Sequence, residues 1–142
     1  MLLLPPPSLV EPAQVGSLTR GWKIAVISTH LAIAGALFVL AISSRMIGKP
    51  TWWLGYEAYP AFFLLLVLPF LGPLVVIITT VRVSHFVPLA GIASTVLLAV
   101  TGVIDLSNTP GVALGELVLA GCTAVTTIAA LAGRRRSVKI GL

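Results

Sequence analysis

Apolar and polar residues alternate along this chain in long blocks. The clearest block runs from Pro60 to Val81 and contains no charged side chain. Glu57 precedes the block and Arg82 follows it. A bilayer core of about 30 Å is crossed by roughly 20 helical residues. The block therefore predicts a membrane-spanning helix.

Three further apolar blocks are separated by short polar or aromatic segments. Pro110 directly after Thr109 is typical of a helix start, because proline suits the first helical position. The predicted spans cover residues 22–44, 60–81, 85–104 and 110–133. We expect an all-α integral membrane four-helix bundle, with a cytoplasmic proline-containing tail over 1–21 and a basic cytoplasmic tail over 134–142.

Composition supports this prediction. Of 142 residues, 58% are hydrophobic and 9% are charged, and the mean hydropathy is +1.10. A soluble domain carries about 25% charged residues. The single cysteine, Cys122, excludes an intrachain disulfide, and we expect it to be a packing residue.

Basic residues predict the orientation. If the N-terminus is cytoplasmic, Arg45 and Lys49 are the basic residues in the outer segments. The cytoplasmic segments then hold Arg20, Lys23, Arg82, Arg134, Arg135, Arg136 and Lys139. The positive-inside rule therefore places both termini in the cytoplasm of a multi-pass cell-membrane protein. The basic residues flank apolar spans, so we expect them to contact lipid and not nucleic acid.

Pro69, Gly72 and Pro73 interrupt the second span. Each proline removes an amide donor and frees a carbonyl one turn earlier. The set is either a hinge that lines an ion or water path, or a static bend that shapes packing.

Acidic and aromatic residues gather at the outer ends of the spans. An ionisable group near the hydrocarbon boundary is a candidate site, and Arg45 and Lys49 are the expected partners of Glu116. The four aromatic residues of the first loop are expected at headgroup level. The set is either a shallow pocket for a cationic or amphipathic ligand or an interfacial salt bridge. Its members are Glu57, Asp105, Glu116, Arg45, Lys49, Trp52, Trp53, Tyr56 and Tyr59.

A second polar set is expected in the inner third of the membrane. It contains His30, Ser94, Thr95, Thr126 and Thr127. The set could serve a proton relay or a quinone headgroup, or only hydrogen-bond between helices. His30 is expected on the side of its helix away from the small residues. His85 lies at a different depth, so the two histidines are poorly placed to share a haem, and no cofactor is expected.

Small residues at four-residue spacing mark expected helix contacts. Gly111 and Gly115 form a GxxxG pair, and Ala120 and Ala124 repeat the spacing. The first span has a comparable row at Ala25, Ser28, Thr29, Ala32, Ala36 and Ser43. We therefore expect spans one, three and four to pack closely, and span two to leave a large face to lipid or another subunit.

Motifs of catalysis are missing from the sequence, which has no GxxxxGK[ST], HExxH or CxxC pattern. We therefore expect a non-enzymatic accessory, assembly or scaffolding subunit of a membrane complex, or a homo-oligomer. The alternative is a small transporter or channel that uses Glu116, Glu57 and the Pro69/Pro73 bend. A weaker alternative is a redox or lipid-substrate subunit near His30.

Overall fold

The computed structural model describes residues 16–54 and 62–134, without the side chains of residues 62, 63 and 84. Glu57, Tyr56, Tyr59 and most of the two predicted tails lie outside the described residues. The described part is all-helical, with four long helices: α1 (Arg20–Met46), α2 (Phe62–Arg82), α3 (Val87–Asp105) and α4 (Pro110–Ala132). Two 3-10 turns, Trp52–Leu54 and Ser84–Phe86, precede α2 and α3 respectively.

All four helices are long and apolar enough to cross a membrane. This confirms the four predicted helical segments and is compatible with a multi-pass membrane protein. The first helix extends beyond its predicted limits at both ends and has 27 residues. The third begins at Val87 instead of residue 85, because residues 84–86 form the 3-10 turn.

The helices alternate in direction. The Ile47–Leu54 segment and the turn between α3 and α4 lie at one end, which we call the loop end, where Trp52 contacts Asp105. At the opposite end, the terminal end, Leu18 forms a bridge with Arg134. Arg134 also donates a hydrogen bond to the carbonyl oxygen of His85. The described segments nearest the two chain termini therefore meet at the same end.

Helix contacts differ in part from those predicted. The most extensive contact joins α3 to α4, followed by α2 to α3 and α1 to α2. The contact between α1 and α4 is smaller. The predicted close packing of spans one, three and four holds for α3 on α4, whereas α1 packs more extensively on α2 than on α4.

Three groups of buried side chains follow one another between the helices. At the terminal end they are Leu18, Val26, Val76, Val87, Ala90 and Ala130. The middle group is wholly apolar and contains Ile33, Leu37, Leu98 and Ala120. The group at the loop end contains Ala41, Trp53 and Leu54.

The bend residues of α2 lie on its buried face. Pro69, Gly72 and Pro73 are all buried. A Cβ atom on Gly72 would come within 2.6 Å of Ser94 Oγ, so α2 and α3 approach closely there. Gly72 therefore lies at the contact with α3, and α2 also packs on α1 while its outward face carries Leu64, Leu71 and similar residues.

Candidate functional site: a carboxyl pair beneath an aromatic turn

The 3-10 turn Trp52–Leu54 inserts into the loop end of the helices. Trp53 has no exposed surface, and its ring meets the edge of Phe70 with 6.1 Å between centroids and 86° between planes. The indole N–H of Trp53 donates a 2.6 Å hydrogen bond to Glu116 Oε1. The prediction of headgroup-level aromatics is therefore wrong for Trp53, which is part of the packed interior.

Trp52 connects the same turn to the C-terminal part of α3 by two hydrogen bonds. Its backbone N–H donates to Asp105 Oδ1 at 3.3 Å, and its indole N–H donates to the Thr101 carbonyl oxygen at 3.4 Å. These two hydrogen bonds join the aromatic turn to the last turns of α3.

Asp105 and Glu116 bring two carboxyl groups into this region. Both side chains are 0% exposed, and their carboxyl groups lie close enough to interact. Close packing of α3 on α4 brings them together: a Cβ atom on Gly102 would lie 3.2 Å from Glu116 Cβ. A buried carboxyl pair is costly unless each oxygen finds a partner.

Several oxygens at this site have no such partner among the described residues. They are Asp105 Oδ2, Glu116 Oε2, Thr109 Oγ1 and Thr51 Oγ1. The Thr109 side chain faces Asp105 and is 5% exposed. Its hydroxyl group therefore borders the carboxyl pair.

A groove of about 350 Å³ between the end of α1 and the start of α4 reaches Thr109. Ser44, Lys49 and Pro110 also line it. Thr109 therefore lies at the wall of this groove, whereas Asp105 and Glu116 do not line it.

The expected cationic partners occupy other positions. Arg45 and Lys49 are exposed at the loop end, whereas Glu116 is buried and accepts its hydrogen bond from Trp53. Arg45 lines a second groove, of about 450 Å³, with seven apolar residues of α1, α2 and the aromatic turn. The predicted pairing of Glu116 with Arg45 or Lys49 is thus replaced by an indole donor.

His30 lies on the buried face of α1, which corrects its predicted position. Its Nδ1 atom is 2.8 Å from the Val26 carbonyl oxygen, and Nε2 has no hydrogen-bond partner among the described residues. Ser94 is also buried, and its hydroxyl group has no hydrogen-bond partner in the described part of the chain. Each of Thr95, Thr126 and Thr127 hydrogen-bonds to a carbonyl of its own helix. His85 is exposed beside Phe86, away from this set.

The small residues of α4 lie at the predicted helix contacts only in part. A Cβ atom on Gly111 would meet nothing within 4 Å, and one on Gly115 would meet Leu40 of α1 at 3.0 Å. Ala120 is buried in the middle group and Ala124 is half-buried. Cys122 is exposed, so its predicted packing role is wrong.

Sequence reasoning missed the contact of Trp53 with Glu116 and the position of Thr109 beside Asp105. The pairing of a mid-loop tryptophan with a helix carboxylate has no sequence signature, because the partners are 63 positions apart.

Among the described residues, no group of three or more His, Cys, Asp or Glu side chains is arranged to hold a metal ion. The chain matches no protein-family model, no curated protein and no solved structure.

Proposed function

We propose that this chain is a non-enzymatic assembly subunit of the cell membrane, with a four-helix bundle fold and both termini in the cytoplasm. Its proposed role is to associate with another membrane helix, which belongs either to a different subunit or to a second copy of the chain. The orientation follows from the Lys and Arg distribution and places the terminal end inside.

One observation carries this proposal: the small residues of α1 face outward. Gly21, Ala25, Ser28, Ala32 and Gly35 are exposed and follow one another at spacings of four and three residues. Among the described residues, a Cβ atom on Gly21 or Gly35 would meet nothing within 4 Å. In membranes, helices associate where small residues let the backbones approach closely.

The contrast with the other helices strengthens the proposal. The outward positions of α3 are mainly large, including Leu89, Ile92, Val96 and Val100. Such side chains suit contact with acyl chains. The α1 face instead offers a shallow surface over about four helical turns, with the 3.5-residue period that matches two packed helices.

Substitution of Ala32 by leucine tests this surface. We expect Ala32→Leu to weaken association at least ten-fold while the thermal unfolding temperature stays within a few degrees, because Ala32 is exposed in the isolated chain. Native mass spectrometry in mild detergent measures the association. Ala93→Leu, at an exposed position on α3, is the matched control and should leave it unchanged.

A cross-linking experiment separates a second copy from a different partner. In a Cys122→Ala background, Ser28→Cys should form a disulfide-linked dimer in membranes if copies pair through α1, since cysteines need Cα atoms within about 7 Å. Val96→Cys on α3 should not. A lone monomer in native spectra, with no cross-link at Ser28, would refute the assembly proposal.

Buried carboxyl groups favour a small transporter as the second candidate. In that proposal Glu116 with Glu57 handles a cation and the Pro69/Pro73 bend moves. The apolar middle group of Ile33, Leu37, Leu98 and Ala120 separates Glu116 from the terminal end, so a conformational change would be required. If the transporter proposal holds, Glu116→Gln should abolish flux in liposomes, with Thr126→Val as the unaffected control.

A further inference from the structure

We propose that the carboxyl pair Asp105–Glu116, together with the Thr109 hydroxyl group, binds a hard divalent cation, and that Ca²⁺ is the ion that fits best. The inference is independent of the assembly role, because the site lies inside the chain and the proposed association face lies on the outside of α1.

Charge balance is the first argument. The two carboxyl groups are buried close together, and the groups of the described residues that face them are neutral: the Trp53 indole N–H, the Trp52 backbone N–H and the Thr109 hydroxyl. None of these groups neutralises a negative charge. Two ionised carboxylates brought together in a buried site repel each other and lose their hydration. A divalent cation would balance both charges at once.

Ligand chemistry is the second argument. Asp105 Oδ2, Glu116 Oε2 and Thr109 Oγ1 are buried oxygens without a hydrogen-bond partner among the described residues. Thr109 supplies the independent indication, because it is not acidic, is 5% exposed and interacts with Asp105. Carboxylate, hydroxyl and water oxygens are the ligands that hard cations prefer.

The irregular donor set favours Ca²⁺ over Mg²⁺. Calcium accepts about six to eight oxygens in flexible geometry, whereas magnesium requires a nearly ideal octahedron. The described side chains supply only part of the calcium shell. Water molecules would complete it, and the groove that Thr109 lines brings solvent to the Thr109 side of the site.

Calcium titration of the full chain tests the proposal. Purified protein in nanodiscs is first treated with a chelator, and CaCl₂ is then added while heat release and the thermal unfolding temperature are recorded. We expect saturable binding and a rise in unfolding temperature. NaCl at matched ionic strength should produce neither, since screening alone does not fill a site.

Isosteric variants locate the bound ion. Asp105→Asn and Glu116→Gln keep the oxygens that accept from Trp52 and Trp53 but remove charge, so each should weaken Ca²⁺ binding at least ten-fold. In chelator both should be at least as stable as the unmodified chain, because the repulsion is relieved. Thr109→Val should weaken binding with both carboxyl groups in place, while Thr126→Val on the same helix should not.

Three results would overturn the proposal. One is the absence of saturable Ca²⁺ binding. Another is binding of equal strength in Asp105→Asn and Glu116→Gln. The third is a stability that responds to pH in chelator but not to Ca²⁺, which would mean that the pair holds a proton only. If a carboxyl variant fails to fold, Thr109→Val still decides the assignment.

Discussion

Replacement of Trp53 by alanine is expected to destabilise the protein more than any other single side-chain truncation at the loop end. Truncation of a buried aromatic side chain costs about 3–5 kcal/mol, because the cavity closes only in part. Loss of the indole donor leaves Glu116 Oε1 without its 2.6 Å hydrogen bond, which adds about 1–3 kcal/mol. Thermal or denaturant unfolding in detergent, followed by circular dichroism, measures the loss.

Two variants divide the effect of Trp53 into packing and hydrogen bonding. Trp53→Phe keeps a ring near Phe70 but removes the donor, so we expect a smaller loss than with alanine. Trp53→Phe combined with Glu116→Gln completes a double-mutant cycle whose coupling energy reports the indole–carboxyl contact. If Trp53→Ala unfolds at the same temperature as the unmodified chain, the aromatic turn is not part of the stable interior.

The positions of the helices could be read from the sequence because charge and proline mark their ends. Arg82 ends α2, and Pro110 after Thr109 begins α4, as predicted. In a bilayer, an uninterrupted apolar segment leaves the backbone little alternative to a helix, since each polar backbone group must find a partner within it. Length and composition therefore sufficed for the four helices.

Which face of each helix is buried could not be read in the same way. Lipid and protein interior are both apolar, so hydrophobic periodicity does not separate them. The small residues of α1, Ala25 and Ala32 among them, were expected inside but face outward. His30 was expected away from the contacts and is 1% exposed. Cys122 was expected to pack and lies on the surface.

The sequence identified several residues of the candidate site but did not predict how they contact one another. Asp105, Glu116 and Trp53 were all selected from the sequence as residues of the outer ends. Their arrangement depends on a turn of three residues that folds back between helices, and the aromatic residues alone are equally compatible with the headgroup region. The buried geometry arises from long-range packing that no local pattern encodes.

Replacement of Gly91 by alanine is the second substitution with a large expected effect. A Cβ atom there would overlap Thr127 Oγ1 and lie 2.8 Å from Thr127 Cγ2. Thr127 is β-branched and hydrogen-bonded to the Thr123 carbonyl oxygen, so its side chain has little freedom to move. The helices α3 and α4 must separate instead. Overpacking of this kind costs about 1–3 kcal/mol and should lower the unfolding temperature by several degrees.

Gly121→Ala is the matched control for Gly91→Ala, because a Cβ atom at Gly121 would meet nothing within 4 Å. Alanine is the better helix former by about 1 kcal/mol, so this variant should be neutral or slightly stabilising. Thr127→Ala should rescue Gly91→Ala by removing the two overlapping atoms, and the rescue should exceed the effect of Thr127→Ala in the unmodified chain. Equal unfolding temperatures for Gly91→Ala and Gly121→Ala would show that α3 and α4 do not pack through Gly91.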